Sequence, residues 1–370
     1  MNRIEGSTFV FVSSRIRFHM LDRRLLDVMA GLIAEGAHVH LVCRPSSPVL
    51  EPARALGVTV APYRLDKVNV LRTRSRLRKY LRRYQPVLAH SVGNVANVLL
   101  RLAAGPLDIP VVNSIGCAPW PPYSPRGIRG RMWRRLDRRT FPRVDAFVAD
   151  CAPAEPLLRE AGLEPRRVEV IVPGVDVRRV QRVAQNASVP RPASQATGIV
   201  AYLGDREDDA AMDELLSAID ILRVEGLDVV VACKRDAPQT NLRRRAQDVG
   251  AVREVDTVDM PVLASVADAC CVISTCPGLP AGILIAGALG KPMVASAVLG
   301  AADLLTHNRE ACYVKPSDVF GLAQQIRALL RDTEWAQAMG ERARHRVLDE
   351  YSAGRTVREH LELYRTLIAE

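Results

Sequence analysis

The sequence predicts an α/β protein made of two doubly wound parallel sheets that face a cleft. Three observations carry that prediction. Short apolar runs rich in Val and Ile alternate with amphipathic stretches of about 10 to 15 residues, the pattern of parallel strands joined by crossover helices. The alternation breaks down after residue 173 and then restarts. The length of 370 residues exceeds one ordinary core, since a domain holds about 100 to 200 residues.

Thr8 to Ser13 (TFVFVS) reads as a buried strand, HMLDRRLLDVMAGLIAEG as an amphipathic helix stopped by Gly36, and HVHLVC as a second strand. Together they make one βαβ unit. VTVAPY, the arginine-rich segment 71–86, PVLAHS, VANVLLRLAAG and IPVVNS continue the series. A polar loop with Pro119, Pro121, Pro122 and Pro125 follows, then DAFVAD, a helix and VEVIV. Residues 173–198 lose apolar content and fill with Pro, Ser, Asn and Gln, as linkers do. We therefore expect a first domain over 1–175, a linker over 176–198 and a second domain over 199–370. In the second, GIVAYLG, a helix through Leu222, DVVVAC, a helix, the ill-defined VREVDTVD, a short helix, CCVIST and PMVAS repeat the alternation. A helix at Val319 to Leu330 and a long terminal helical run close the chain, with EHLELYRTLIAE able to pack back on the first domain.

Charge is unevenly shared. Residues 1–180 hold 30 Lys and Arg against 15 Asp and Glu, and the remainder 21 against 26. The excess concentrates in LRTRSRLRKYLRRYQP and RGIRGRMWRRLDRRTFPR, where Arg72, Arg76, Lys79 and Arg83 share one helical face. Such a face is a solvated surface, a site for anionic lipid headgroups helped by Met132 and Trp133, or a nucleic-acid footprint. An aromatic content of only 5% argues against nucleic acid. No apolar run spans a bilayer, and the five-residue apolar run before Arg15 is too short for a secretory signal, so a cytoplasmic location is expected, peripheral at the inner membrane face if the basic half meets lipid. The eight cysteines (43, 117, 151, 233, 270, 271, 276 and 312) show neither CxxC nor zinc-ligand spacing, and are expected to be reduced small core residues. No metal site, P-loop, nucleophile elbow or HExxH occurs.

The stretch CPGLPAGILIAGALGKPMVAS (276–296) is an apolar helix boxed by glycines between two strands, with no acid in it. Gly278 and Gly282, with Pro280 at the first turn, would present backbone N–H groups to an anion. With VEVIVPGVD, GALGKPMVASAVLGAADLL and MGERARHRVLDEYSAGRTVREHLELYRTLI, this stretch resembles the retaining glycosyltransferases of family 4, which have the GT-B fold of two Rossmann-like domains. The resemblance covers nearly the whole chain. It implies transfer of a sugar from a nucleotide diphosphate sugar, held by the second domain, to a glycan or glycolipid acceptor held by the first, with no metal and no cofactor beyond that co-substrate.

The sequence departs from the family where the family is charged. The two glutamates of the helix segment correspond to Pro277 and Ile285, the Arg and Lys that neutralise the diphosphate to Asp205 and Ala210, a histidine after the fifth strand to Ile115, and an asparagine to Pro173. One well-placed cation is worth about 3 to 4 kcal/mol to a charged transition state. The donor site is therefore expected to be rearranged, drawing on Gly204, Arg206, Lys234, Arg235, Ser274, Gly278 and Gly282. Lys291, in the turn before PMVAS, reads as structural. On the acceptor side Ser13, Ser14 and Arg15 follow the first strand and His90 ends another; Ser13 or Ser14 capping the next helix and a structural His90 are the plainer readings. No residue is assigned to catalysis. The alternative is a catalytically inactive GT-B protein that partners or regulates an active transferase.

Overall fold

The computed structural model describes residues 4–15, 20–65, 69–116, 127–187, 196–204, 208–234, 237–238, 240–248, 250–255 and 259–370. The chain divides into two compact units, Met1–Pro173 with Ala353–Glu370, and Gly174–Ser352. Each is a parallel sheet wound with helices, a Rossmann-like arrangement.

In the first unit the strands are β1 (Thr8–Ser13), β2 (His38–Cys43), β3 (Thr59–Pro62), β4 (Leu88–Val92), β5 (Val111–Ile115), β6 (Ala146–Ala149) and β7 (Val168–Val170). The helices are α1 (Met20–Ala34), α2 (Leu50–Ala55), α3 (Val70–Tyr84), α4 (Asn94–Ala104), α5 (Gly127–Thr140) and α6 (Ala154–Glu160). The strand order is β3-β2-β1-β4-β5-β6-β7. Phe9 pairs with Val39 on one side and Leu88 on the other, so the order reverses at β1/β4. Central strands are buried on both faces, which is why they read as unbroken apolar runs. Residues of α1 and α2 fill one side of the sheet, residues of α3 and α4 the other.

The second unit opens with α7 (Val177–Gln185), followed by β8 (Gly198–Tyr202), α8 (Asp209–Val224), β9 (Val229–Lys234), α9 (Asn241–Asp248), β10 (Val252–Val255), α10 (Met260–Ser265), β11 (Ala269–Val272), α11 (Ala281–Ala288), β12 (Met293–Ser296), β13 (Cys312–Val314), α12 (Val319–Arg331) and α13 (Thr333–Glu350). Its order, β10-β9-β8-β11-β12-β13, reverses at β8/β11. The last helix, α14 (Ala353–Ala369), packs on α1. Gly31 permits this, because a Cβ there would collide with Val357 Cγ1. Tyr364 then lies against Phe9 and Phe11, ring centroids 5.9 and 6.4 Å away.

Three local expectations change. Part of the expected linker is α7, capped by Asp176 and packed on α10 and α11, because Val177 and Val180 form a buried stripe one turn apart. Trp133 is a core residue at 5% exposure, whereas Met132 is exposed. Cys151 is disulfide-bonded rather than reduced, whereas Cys43, Cys233, Cys270, Cys271 and Cys312 are free and buried. Burial pushes the Cys43 and Cys233 thiols up to about 11, which leaves them inert.

Candidate functional site

Ligands of open parallel sheets sit outside the carboxyl ends of the strands where the order reverses. In the second unit that point is the end of β8 and β11. Gly204 follows β8 so closely that a Cβ would lie 2.5 Å from the Tyr202 ring and 2.6 Å from the Ile273 carbonyl oxygen. Gly282, in the first turn of α11, lies against β8 in the same way: a Cβ would be 2.6 Å from the Leu203 carbonyl oxygen. Ser274 closes the group, its N–H donating to Ser296 Oγ at 3.1 Å. Gly204, Ser274 and Gly282 are thus brought together on adjacent strand ends.

Asp208, which the sequence reading did not select, organises this end of the sheet. Its carboxylate caps α8 by accepting the Ala211 N–H at 3.1 Å. It also accepts the Thr275 N–H and Thr275 Oγ1–H, each at 2.8 Å, and the Ser274 hydroxyl at 3.4 Å. One acid therefore staples the β8–α8 loop to the β11–α11 loop. It also places negative charge at the head of α8. An anion would be received instead by the first turn of α11, where the N–H groups of Ala281 and Gly282 have no protein acceptor among the described residues.

The other donor-side residues are placed differently. Gly278 donates its N–H to the Leu299 carbonyl at 2.9 Å, so that group is already used. Lys234 is the last residue of β9, next to β8, and its side chain is almost wholly buried. Arg206 and Arg235 lie outside the described residues. Lys291 donates to the carbonyls of Ser265 and Ala267 at 3.2 and 2.7 Å, the structural role expected of it.

In the first unit the carboxyl ends of β1, β4, β5 and β6 hold a buried polar network. Arg24 of α1 donates to Asp150 Oδ1 at 2.7 Å, to the Ile171 carbonyl at 3.1 Å and to Ser114 Oγ at 3.1 Å. Burial raises the Asp150 carboxyl and Arg24 opposes that rise. His90 Nε2 lies 2.9 Å from Ser114 Oγ, and Nδ1 lies 2.5 Å from the Tyr364 hydroxyl. With both ring nitrogens engaged and 3% exposure, His90 departs from the acceptor-side role and is a core residue. Burial, then His360 and Arg24, hold its pKa well below the ordinary value.

Ser14 is structural too. Gly93 precedes α4 at φ +100, a backbone that favours glycine and leaves no side chain to cap the helix. Ser14 Oγ supplies the cap by accepting the Ala96 N–H at 3.1 Å. It caps α4, not the helix that follows it in sequence. Ser13 is fully buried, and Arg15 pairs with buried Asp22 at 3.0 Å, a quarter of its own side chain remaining exposed. Arg15, like Ser14, is only half-buried, and of the two it is the one that brings a charge to an acceptor.

Residues 21–179 match the family model described as Glycosyltransferase Family 4, and residues 197–332 the model described as Glycosyl transferases group 1. A D-inositol 3-phosphate glycosyltransferase of Salinispora arenicola is 28% identical over 306 residues, 76% of this chain and 63% of that protein. The match thus spans a little under two thirds of that relative. Among solved structures, Anabaena HepE in complex with UDP superposes with a TM-score of 0.80 at 15% identity, covering 97% of this chain and 100% of that one. Sucrose-phosphate synthase from Thermosynechococcus elongatus gives 0.79 at 17%, covering 98% and 99%. Two Rossmann-like units in this order, with these neighbours, define a GT-B protein. Since both halves of that architecture are matched by glycosyltransferase models, the chain belongs to the GT-B glycosyltransferases of the family 4 type.

Proposed function

We propose that this chain transfers a sugar from a nucleotide diphosphate sugar to a glycan or lipid-linked acceptor, with the donor at the carboxyl ends of β8 and β11. The observation that carries the reading is the pair of glycosyltransferase family matches, one in each half of the chain. The Anabaena HepE structures with UDP and with UDP-glucose support a nucleotide sugar as the donor class. The N–H groups of Ala281 and Gly282, without a protein acceptor among the described residues, offer the diphosphate a positive helix end. Lys234, with Arg206 and Arg235, is the proposed replacement for the family's absent cations. On the acceptor side Arg15 is the proposed contact. A lipid-linked acceptor would have the protein work at the inner membrane face.

The test is nucleotide binding followed by turnover. Thermal shift with UDP, GDP and their sugar conjugates should show at least one binder, which at a hundred times its dissociation constant adds about 2.7 kcal/mol. Lys234→Ala and Arg235→Ala should each weaken that binder about tenfold or more; unchanged affinity in both removes the proposed cations. A stabilising nucleotide sugar should then be consumed in the presence of a glycan or glycolipid extract. No shift with any nucleotide would replace the transferase by a catalytically inactive partner of another transferase.

A further inference from the structure

Helices α3, α4 and α5 form one layer on the first unit's sheet, with α4 packed against both neighbours. The outer helices expose a single sign of charge. Arg72, Arg76, Lys79, Arg82 and Arg83 are exposed on α3, and Arg131, Arg134, Arg135, Arg138 and Arg139 on α5. Among the described residues no carboxylate pairs with any of the ten. Neither α3 nor α4 contains an acid, and the one acid of α5, Asp137, is buried and bound to Arg101 at 2.5 Å.

Several arginines on other helices are treated otherwise. Arg159, Arg344 and Arg355 each hold a glutamate one helical turn away. Like charges at i,i+3 and i,i+4 repel, so the α3 and α5 faces cost the isolated protein stability. An external anionic surface would relieve that cost. Among the described residues each helix also projects a large apolar side chain beside its cations, Leu71 at 76% and Met132 at 67% exposure. Cations beside a protruding aliphatic group suit the headgroup and upper acyl region of a bilayer. Base stacking would need aromatic faces, but Trp133 and Tyr80 are turned into the core, and Tyr84 is half-buried with the Arg83 guanidinium 5.4 Å over its ring.

We propose that the α3–α5 face docks on an anionic lipid bilayer, with Leu71 and Met132 as shallow anchors. This rests on the surface charge of the first unit and is independent of the transferase reading.

Flotation of the full chain with phosphatidylcholine vesicles, with and without roughly a third phosphatidylglycerol, tests it. The protein should float with the anionic vesicles at low salt, stay behind with neutral ones, and be released at about 0.5 M salt, where the screening length falls to a few ångströms. A basic residue near an anionic surface is worth about fivefold in partition. Arg76→Glu with Lys79→Glu and Arg83→Glu, or Arg131→Glu with Arg135→Glu and Arg138→Glu, should therefore lower partition about a hundredfold or more. Leu71→Ser with Met132→Ser should lower it several-fold while keeping the salt dependence. The same charge change on α7, at exposed Arg178, Arg179 and Arg182, should leave it within about threefold. All these sites are exposed, so melting temperatures and any nucleotide shift should be retained, which separates this result from the fate of the transferase reading. Absence of flotation, equal loss in the α7 variant, or displacement from vesicles by duplex DNA binding more tightly at the same salt would each overturn the proposal.

Discussion

Arg24 shows what a single buried cation does in this fold. Its guanidinium is 2% exposed and ties α1 to Asp150 beyond β6, to Ser114 on β5 and to the chain after β7. Removing one member of such a pair strands the other charge out of water, which typically costs about 3 to 5 kcal/mol. Arg24→Ala should lose that much in urea unfolding, and Arg24→Met combined with Asp150→Leu should lose clearly less than the two single changes together. The neighbouring histidines set a pH limit. Burial holds His360 at about 3 and His90 also far below its ordinary value, while both titrate near 6.5 when unfolded. Between those values the unfolded chain takes up protons that the folded chain refuses. Stability is therefore full above about pH 6.5 and falls below it, by about 1.4 kcal/mol per pH unit for each ring. Asp150, raised by burial, works in the opposite sense but is one group against two. Urea midpoints measured at stepped pH should show the decline, and His360→Gln should roughly halve its slope. The sequence put His90 at a strand end, whereas it lies in the middle of β4, and its contact with Tyr364, 274 residues away, was not legible.

At the level of elements, α11 was legible and its partner loop was not. AGILIAGA is apolar on every side and is accordingly buried against α7, α10 and α13. The signal for Asp208 was available, an acid immediately before a helical stretch, but capping explains only one of its hydrogen bonds. The bonds to Ser274 and Thr275 cross 66 and 67 residues and belong to the folded sheet. Asp208 makes a testable trade. Asp208→Ala should lose the cap and the staple, about 1 to 2 kcal/mol in a thermal melt. Asp208→Asn keeps an oxygen acceptor and removes the negative charge beside α11, so it should bind the stabilising nucleotide several-fold more tightly. Weaker binding by Asp208→Asn, with the melt unchanged, would show that the carboxylate helps to hold the donor rather than opposing it.

For the whole chain, the last helix decides which residues make a domain. α14 contributes Leu361, Leu363, Tyr364 and Leu367 to the core of the first unit, although β8 through α13 intervene in sequence. Burying four such side chains is worth on the order of 5 kcal/mol or more. A chain ended after Ser352 should therefore lose protease resistance in residues 1–173 before residues 174–352; equal resistance of the two would refute this. Among the described residues no helix is long and apolar enough to cross a membrane. The sequence by itself determined the two parallel sheets, the restart of the pattern, the first half's positive charge and the apolar character of α11, because each is a local periodicity or a sum over residues. Only the tertiary structure decided that Ser14 caps α4, that Trp133 turns inward while Met132 stays out, and that ten exposed cations of α3 and α5 find no carboxylate partner among the described residues. Those outcomes depend on which distant residue fills each buried hydrogen bond and each gap between helix and sheet, and no local pattern encodes that.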